Sequence, residues 1–234
     1  MVLLHAFPLT SAMWRPQVDA LSDHWRVITP DLPALASMDA LADAVAGAIN
    51  AAGCGPVVLG GLSMGGYVTF AVLRRHPELV RAVVLADTRA GADTPEVRDR
   101  RTAQQAQVAT EGAAPIVEGS LQNLPSAHTR ASRPEVMDEL RGIMQGVAPE
   151  WITAALEAMK HRPDSTDLLP ALDVPALVIV GEDDKVTPPN VAEDMVQRLP
   201  HARLAVIPKA GHLSNLEDPD AFNSELRSFL ETLP

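Results

Sequence analysis

A set of short apolar runs, continuous rather than alternating with polar residues, limits the folds open to this chain. The runs cover residues 2–4, 26–28, 56–59, 82–86 and 176–180, and a sixth run at 204–207 begins after charged residues. Continuous runs of this length are typical of strands buried on both faces of a parallel sheet. Helical patterns separate several of them, which predicts an α/β fold with a mostly parallel sheet and helices on both faces.

Two of the intervening helices can be predicted with their caps. Ser37 precedes a pattern with apolar residues at positions 41, 45, 48 and 49, and its side chain is suited to an N-cap. Asp218 followed by Pro219 opens a second pattern, with apolar residues at positions 222, 226, 229 and 230. Both stripes have the spacing of a helix that packs one face on a sheet.

The alternation of strands and helices stops between residues 91 and 170. This stretch is rich in Ala, Arg, Glu and Gln, and four prolines at positions 95, 115, 134 and 149 divide it into four predicted helices. Its flanks are strand-like, so we expect one core domain formed by residues 1–90 and 171–234, with 91–170 inserted as a helical cap. The insertion covers an active site or adds packing bulk.

Composition limits the partners and the compartment. The net charge of −11 and the pI of about 5.0 argue against nucleic-acid and anionic-membrane partners and suit a soluble enzyme. A single cysteine, Cys54, excludes an intramolecular disulfide, and we expect it to be buried and inert. No apolar stretch has membrane-spanning length, and the first residues do not resemble a signal peptide, so we expect a cytoplasmic location.

Residues 60–66, Gly-Gly-Leu-Ser-Met-Gly-Gly, lie between a predicted strand and a predicted helix. An immediate strand-to-helix turn forces its serine into a strained bend, and the glycines allow backbone to pass closely. Ser63 would then project from a helix N-terminus, where backbone N–H groups favour an anion. We interpret Ser63 as a nucleophile. A phosphate-binding loop and a plain tight turn are the alternatives.

A nucleophilic serine needs a base, and the base needs an orienting carboxylate. The strand at 176–180 is followed by Gly-Glu-Asp-Asp, which ends at Asp184, and the strand at 204–207 is followed by His212. Both residues follow Ser63 in the order Ser, Asp, His and come at the carboxyl ends of strands. His212 could otherwise be a surface residue. The other six histidines lack metal-ligand spacing, so we expect neither a metal nor a cofactor.

An oxyanion formed at the substrate carbonyl also needs two hydrogen-bond donors. We expect them to be the backbone N–H of Met64, directly after the nucleophile, and that of Phe7, in the loop after the first strand. His5 lies in the same loop. It could act as a second base, but bracing the loop is the favoured role.

In these motifs the chain resembles the α/β-hydrolase superfamily. Within it, the chain is similar to the branch that holds 3-oxoadipate enol-lactonases, small carboxylesterases and cofactor-free haloperoxidases. The matching pieces are His5-Ala-Phe-Pro with Met13-Trp14, Gly61-Leu-Ser-Met-Gly65-Gly66, Gly181-Glu-Asp-Asp184 with Pro188, and Ala210-Gly-His212 with Glu217 and Pro219. The resemblance implies a cofactor-free serine hydrolase acting on a small soluble ester or lactone. C–C bond hydrolysis, perhydrolysis and a non-catalytic ligand receptor are the alternatives.

The chain departs from the family pattern in three places. Ala6 stands where the family usually has a glycine, and the usual Asp-x-x-Gly-x-Gly turn is degraded at residues 31–37. The family usually has two further strands ahead of the one at residues 2–4, whereas this sequence starts at that strand, so either the sheet is shorter at one edge or the natural protein begins earlier. We therefore expect the exposed edge of that strand to be covered, by a flanking loop or by a second subunit in a homodimer.

Three carboxylates at strand ends compete for the role of orienting His212. The family pattern Gly-x-x-Asp-x-x-x-Pro favours Asp184, while Asp183 occupies a variable position and would be solvated or cap the loop. Asp87 ends the strand at 82–86 and is the main competitor, because some superfamily members place their acid one strand earlier. Thr88 and Arg89 give Asp87 a structural alternative by ion pairing or turn capping, which we favour.

Overall fold

The computed structural model describes residues 1–233, in which five parallel strands form one sheet in the order β1-β2-β3-β4-β5. The strands are β1 (Val2–Leu4), β2 (Val57–Leu62), β3 (Val80–Ala86), β4 (Ala176–Gly181) and β5 (Ala202–Ile207). All neighbouring pairs are parallel, with Leu4 opposite Gly61, Leu62 opposite Ala86, and Gly181 opposite Ile207. The carboxyl ends of the strands therefore share one edge, where the loops from different strands meet.

Eleven α-helices occur within residues 1–233. They are α1 (Arg15–Leu21), α2 (Met38–Ala51), α3 (Met64–Arg75), α4 (Pro95–Glu111), α5 (Ala114–Asn123), α6 (Ala127–Ser132), α7 (Pro134–Met144), α8 (Pro149–Lys160), α9 (Pro189–Arg198), α10 (Ser214–Glu217) and α11 (Pro219–Thr232). The predicted caps are confirmed, since the side chain of Ser37 accepts from Ala40 N–H and that of Asp218 accepts from Ala221 N–H. No helix in this part of the chain is both long and apolar enough to cross a bilayer.

Helices cover both faces of the sheet, as the sequence predicts. Alternate residues of the strands point to opposite sides, so Leu59 and Val83 pack in one core cluster and Val58 and Val84 in the other. The first cluster includes apolar residues of α2, α3 and α9, and the second those of α1 and α11. The strands are thus buried on both faces, which explains their continuous apolar sequences.

One predicted strand does not form. Residues 26–28 make only an isolated parallel bridge between Ile28 and Val2, with Leu3 N–H donating to Ile28 O (2.9 Å) and Ile28 N–H to Met1 O (3.0 Å). Pro30 follows two residues later and has no N–H with which to continue a ladder. The segment nevertheless covers the outer edge of β1, so a flanking segment satisfies backbone groups there and no second subunit is needed for them.

The stretch from 91 to 170 is helical, but it contains five α-helices instead of the predicted four. The four prolines lie in the first turns of α4, α5, α7 and α8, as expected for residues without an N–H. The additional helix, α6, starts without a proline and is capped by Ser126, whose Oγ accepts from Thr129 N–H (3.0 Å). Because the sequence was divided only at those four prolines, α6 was not predicted.

Candidate active site

Ser63 occupies the turn between β2 and α3 in a strained conformation. Its φ of 55° and ψ of −111° lie where side-chain-bearing residues are rare, at a cost of about 1–3 kcal/mol. Hydrogen bonds hold the turn in place: Ser63 N–H donates to Ala86 O (2.9 Å), and Ser63 O accepts from Gly66 N–H (3.0 Å) and Thr88 Oγ1 (2.8 Å). The bend predicted for the Gly-x-Ser-x-Gly segment is therefore present.

Two glycines allow the backbone around this turn to pack closely. A Cβ on Gly61 would lie 2.2 Å from the carbonyl oxygen of Gly65, and a Cβ on Gly65 would lie 2.1 Å from that of Leu4. Neither position has room for a side chain, because the obstructing atoms belong to the backbone. The start of α3 consequently packs directly on the end of β1 and on the loop that follows it, where the carbonyl oxygen of His5 would lie 3.1 Å from a Cβ on Gly65.

Three side chains from different loops form one chain of hydrogen bonds. Ser63 Oγ lies 2.8 Å from His212 Nε2, and His212 Nδ1 lies 2.7 Å from Asp184 Oδ2. Both partners of the serine are shielded from water, with 2% of the His212 side chain and none of the Asp184 side chain exposed. The structure thus brings together the three residues that the sequence selected, at the carboxyl edge of the sheet.

His212 and hydrogen bonds from the loop that carries Asp184 favour the ionised form of Asp184. Its Oδ1 accepts from the N–H groups of Val186 (2.7 Å) and Thr187 (3.0 Å), and its Oδ2 accepts from Thr187 Oγ1 (2.7 Å). Burial opposes ionisation, but His212 and these hydrogen bonds outweigh it, so the pKa of Asp184 lies below its ordinary value. Thr187 was missed in the sequence, although a threonine three residues after an aspartate in a loop is a recognisable turn pattern.

Asp87 is a second buried carboxyl at the same edge, but its hydrogen bonds are to residues other than the histidine. Its Oδ1 accepts from Gly181 N–H (2.9 Å), and its Oδ2 lies 2.6 Å from Ser214 Oγ and accepts from Ser214 N–H (3.2 Å). Burial and the nearby charge of Asp184 raise the pKa of Asp87 well above its ordinary value. Asp87 therefore links the loops after β3, β4 and β5.

Asp87 makes hydrogen bonds to backbone and to Ser214, but not to the neighbours Thr88 and Arg89 that the sequence suggested as its partners. Thr88 donates its hydroxyl to Ser63 O instead, and Arg89 faces Asp93 at 3.7 Å. Sequence adjacency suggested these partners, whereas the parallel strands place Asp87 beside residues far along the chain. Asp183 is exposed, and its N–H donates to Ala210 O (2.8 Å) in the loop before His212.

His5 braces the loop after β1. Its Nε2 accepts from Leu32 N–H (3.0 Å), so the proton of the neutral ring is on Nδ1, which donates to Ala6 O (3.0 Å). Burial lowers the pKa of His5, which favours the neutral form that these hydrogen bonds require. Both ring nitrogens are engaged with backbone, so the bracing role is supported over the role of a second base.

The inserted helices reach the same loop through Trp151 of α8. Its ring stacks on Phe7 with centroids 6.1 Å apart and lies 5.6 Å from the ring of His5. Its Nε1 donates to Leu32 O (2.6 Å), which is the residue whose N–H is bonded to His5. Trp151 thereby connects the insertion to the loop that carries Phe7, one of the two proposed oxyanion donors. Met64, which carries the other, is the first residue of α3.

Within residues 1–233, no group of three or more His, Cys, Asp or Glu side chains is arranged to hold a metal ion. The groups that the site offers for chemistry are a serine hydroxyl, an imidazole, an ionised carboxylate and backbone N–H donors. A hydroxyl hydrogen-bonded to a buried imidazole, itself oriented by a carboxylate, is the arrangement that activates serine for attack on a carbonyl carbon.

Comparisons with known proteins identify the family of the chain. The family model described as alpha/beta hydrolase fold matches residues 1–219. The chain is 30% identical to a pimeloyl-[acyl-carrier protein] methyl ester esterase of Neisseria meningitidis serogroup B, with 98% of this chain and 92% of the relative covered.

Two solved structures are also similar over nearly the whole chain. A thermophilic esterase from Thermogutta terrifontis is 41% identical with a TM-score of 0.95, and the match covers 98% of this chain and 88% of the esterase. The enol-lactonase from Burkholderia xenovorans LB400 is 28% identical with a TM-score of 0.89, covering 98% and 90%. The chain therefore belongs to the α/β-hydrolase fold family.

Proposed function

We propose that this protein is a serine hydrolase that cleaves a small, soluble carboxylic ester or lactone through an acyl-enzyme intermediate. The observation that carries the proposal is the continuous hydrogen-bonded chain from Ser63 Oγ through His212 to Asp184, with distances of 2.8 and 2.7 Å. A surface serine would not require a buried imidazole aligned with a buried carboxylate, because burying both groups is costly.

The reaction proceeds in two halves. Ser63 Oγ attacks the ester carbonyl carbon while its proton moves to His212 Nε2, and Asp184 stabilises the imidazolium that forms. The tetrahedral intermediate collapses, the C–O bond to the leaving group breaks, and His212 returns the proton to the leaving alkoxide. A water molecule then attacks the acyl-enzyme carbonyl while His212 takes its proton, the bond between the acyl carbon and Ser63 Oγ breaks, and His212 returns the proton to Ser63 Oγ as the acid leaves.

The negative charge on the carbonyl oxygen would be stabilised by the backbone N–H groups of Phe7 and Met64. The close packing of Gly65 on the end of β1 supports this assignment, because it brings the first turn of α3 next to the loop that contains Phe7. Each such donor contributes on the order of 10²–10³ in kcat in serine hydrolases. Ala6, which replaces the usual glycine, is fully buried, and its N–H faces Met13 Sδ at 3.2 Å.

The names of the relatives support an ester bond as the target. One is a methyl ester esterase, one an esterase and one an enol-lactonase. Trp151 of α8 packs on the loop after β1, and this contact supports an enclosed pocket for a small molecule over an open lipid-binding face. The net charge of −11 disfavours nucleic acid and anionic membranes as partners, so we propose a small-molecule partner. We also propose a cytoplasmic location.

Turnover of short p-nitrophenyl esters tests the proposal. We expect Ser63→Ala to lower kcat by about 10⁴- to 10⁶-fold, and a fluorophosphonate to label the folded protein once, at Ser63. Ser132→Ala is the matched control, since Ser132 is exposed at the end of α6. Labelling of another serine, or normal turnover by Ser63→Ala, would refute the mechanism. No turnover by the wild-type chain would favour a ligand receptor.

A second set of assays assigns the leaving group and the ring size of the substrate. A panel of esters and lactones of graded size, with products identified by mass spectrometry, distinguishes an esterase from a lactonase. Including a β-diketone and a peracid-forming assay with acetate and hydrogen peroxide distinguishes C–C bond hydrolysis and perhydrolysis, which the same three side chains could support.

A further inference from the structure

The loop that carries His212 is bonded directly to the insertion. We define the histidine loop as residues 211–217 and the insertion corner as residues 124–129, which joins α5 to α6. His212 N–H donates to Leu124 O (2.8 Å). A Cβ on Gly211 would lie 2.5 Å from the backbone nitrogen of Ser126, so the two backbones are in direct contact. The insertion thus contacts the main chain of the proposed base itself.

Glu217 forms the second connection between the same two segments. Its Oε2 accepts from Ser126 N–H (2.8 Å) and Thr129 Oγ1 (2.7 Å) of the insertion corner. Its Oε1 accepts from Leu213 N–H (3.2 Å), the residue directly after His212. The residue is 4% exposed, so one buried carboxylate joins the corner to the backbone beside the base. Arg133, at the start of α7, adds a hydrogen bond to the carbonyl of Glu217 (3.3 Å).

The core holds the middle of the histidine loop by other contacts. Ser214 is bonded to Asp87, and Asn215 Nδ2 donates to Met13 O (2.9 Å). Both contacts are downstream of His212, whereas the hydrogen bond from its own N–H goes to the insertion. The backbone position of His212 is therefore determined jointly by core and insertion, with Glu217 between them.

We propose that Glu217 is a positioning residue through which the insertion holds His212 in line between Ser63 and Asp184. The catalytic consequence of this inference rests on the proposed function. Its structural part, the coupling of the insertion corner to His212 through Glu217, rests on the geometry alone. A displacement of the histidine loop would lengthen the Ser63–His212 hydrogen bond that proton transfer uses, and small misplacements of a reacting group lower the rate strongly.

Thr129 offers a mild test, because its hydroxyl can be removed without loss of shape. We expect Thr129→Val to lower kcat by about tenfold while KM changes less than about twofold, and Thr129→Ser to keep wild-type kcat. Thr102→Val is the matched control, since the hydroxyl of Thr102 contacts only its own helix, at Arg98 O (3.1 Å). A wild-type kcat for Thr129→Val would show that the contact has only a structural role and would overturn the proposal.

A measurement without substrate separates this inference from the proposed function. We expect Thr129→Val and Glu217→Gln to accelerate hydrogen exchange of the His212 amide and to shift the imidazole ¹⁵N resonances of His212, with no such change in Thr102→Val. Unchanged exchange and resonances in both folded variants would overturn the coupling, even if the wild-type enzyme cleaves esters. Changed resonances in a protein without esterase activity would support the coupling and count against the proposed function alone.

Discussion

Asp87 and Asp184 follow neighbouring parallel strands and are both buried, yet only Asp184 is hydrogen-bonded to His212. The two carboxyls lie close enough for the charge of one to affect the other, so they share an unfavourable interaction when both are ionised. The environments of the two carboxyls favour opposite charge states, ionised for Asp184 and protonated for Asp87. His212 and Thr187 stabilise the charge on Asp184, while burial and that same charge favour the protonated form of Asp87.

The first prediction concerns which carboxylate orients the base. Asp184→Asn should lower kcat by up to about 10⁴-fold in a folded protein, because an amide at this position favours the wrong tautomer of His212. Asp183→Asn is the matched control and should keep most activity, since Asp183 is exposed. Kinetics with melting temperatures measure both. If Asp87→Asn alone abolished turnover while remaining folded, the assignment of the acid would be wrong.

The second prediction is a pH dependence of stability that depends on Asp87. A carboxyl with a raised pKa in the folded state stabilises most at low pH, and this contribution is lost as pH rises from about 3.8 towards the folded-state pKa. Each pH unit in that window removes about 1.4 kcal/mol of unfolding free energy. Asp87→Asn cannot titrate, so its stability deficit relative to wild type should shrink as pH rises above about 3.8, as followed by urea unfolding at several pH values.

A deficit that does not change with pH above about 5 would show that Asp87 is already ionised in the folded protein. We expect activity at neutral pH to change little in this variant. An amide keeps one acceptor oxygen for Gly181 N–H and one donor for Ser214 Oγ, and loses only the acceptor for the longer hydrogen bond from Ser214 N–H (3.2 Å). Asp183→Asn again provides the control, because it replaces an exposed carboxyl that is not hydrogen-bonded to Gly181 or Ser214.

The parts of this site that are encoded locally could be predicted from the sequence. The turn at Ser63 is specified by its glycines and by the adjoining strand and helix. Asp184 and His212 follow strands whose continuous apolar sequences identify them, and parallel strands necessarily bring their carboxyl ends together. The parallel arrangement of the strands therefore brings the residues of three separate local patterns together in one site.

Contacts between segments far apart in sequence could not be predicted. The partners of Asp87 lie 94 and 127 residues away, so the neighbouring Thr88 and Arg89 were the only candidates that the sequence offered. The segment at 26–28 has the apolar pattern of a strand but pairs with β1 alone and forms one bridge. The hydrogen bonds from Glu217 to the insertion depend on α6, which the proline pattern did not reveal.

The third prediction concerns Trp151, which connects the insertion to the loop carrying Phe7. Trp151→Ala should lower kcat several-fold and lower the melting temperature, because it removes the stacking on Phe7 and the hydrogen bond to Leu32 O. Trp25→Ala is the control, a partly buried tryptophan that contacts His24 and Arg227. Equal kinetic effects of the two substitutions at matched stability would contradict a specific role for Trp151 in positioning this loop.

The last prediction concerns the contact between α3 and β1. In Gly65→Ala the new Cβ would lie 2.1 Å from Leu4 O and 2.7 Å from Leu4 C, and backbone atoms cannot move aside as a flexible side chain can. The helix start must shift away from the loop that contains Phe7, which separates the two proposed oxyanion donors. We expect a kcat loss of at least about 10²-fold, comparable to the removal of one donor, together with destabilisation. The control is Gly119→Ala in α5, where a Cβ would meet nothing within 4 Å and helix propensity predicts a gain of up to about 1 kcal/mol. Steady-state kinetics and thermal unfolding of both variants decide the matter, and a Gly65→Ala enzyme with wild-type kcat would mean that this close contact does not position the oxyanion donors.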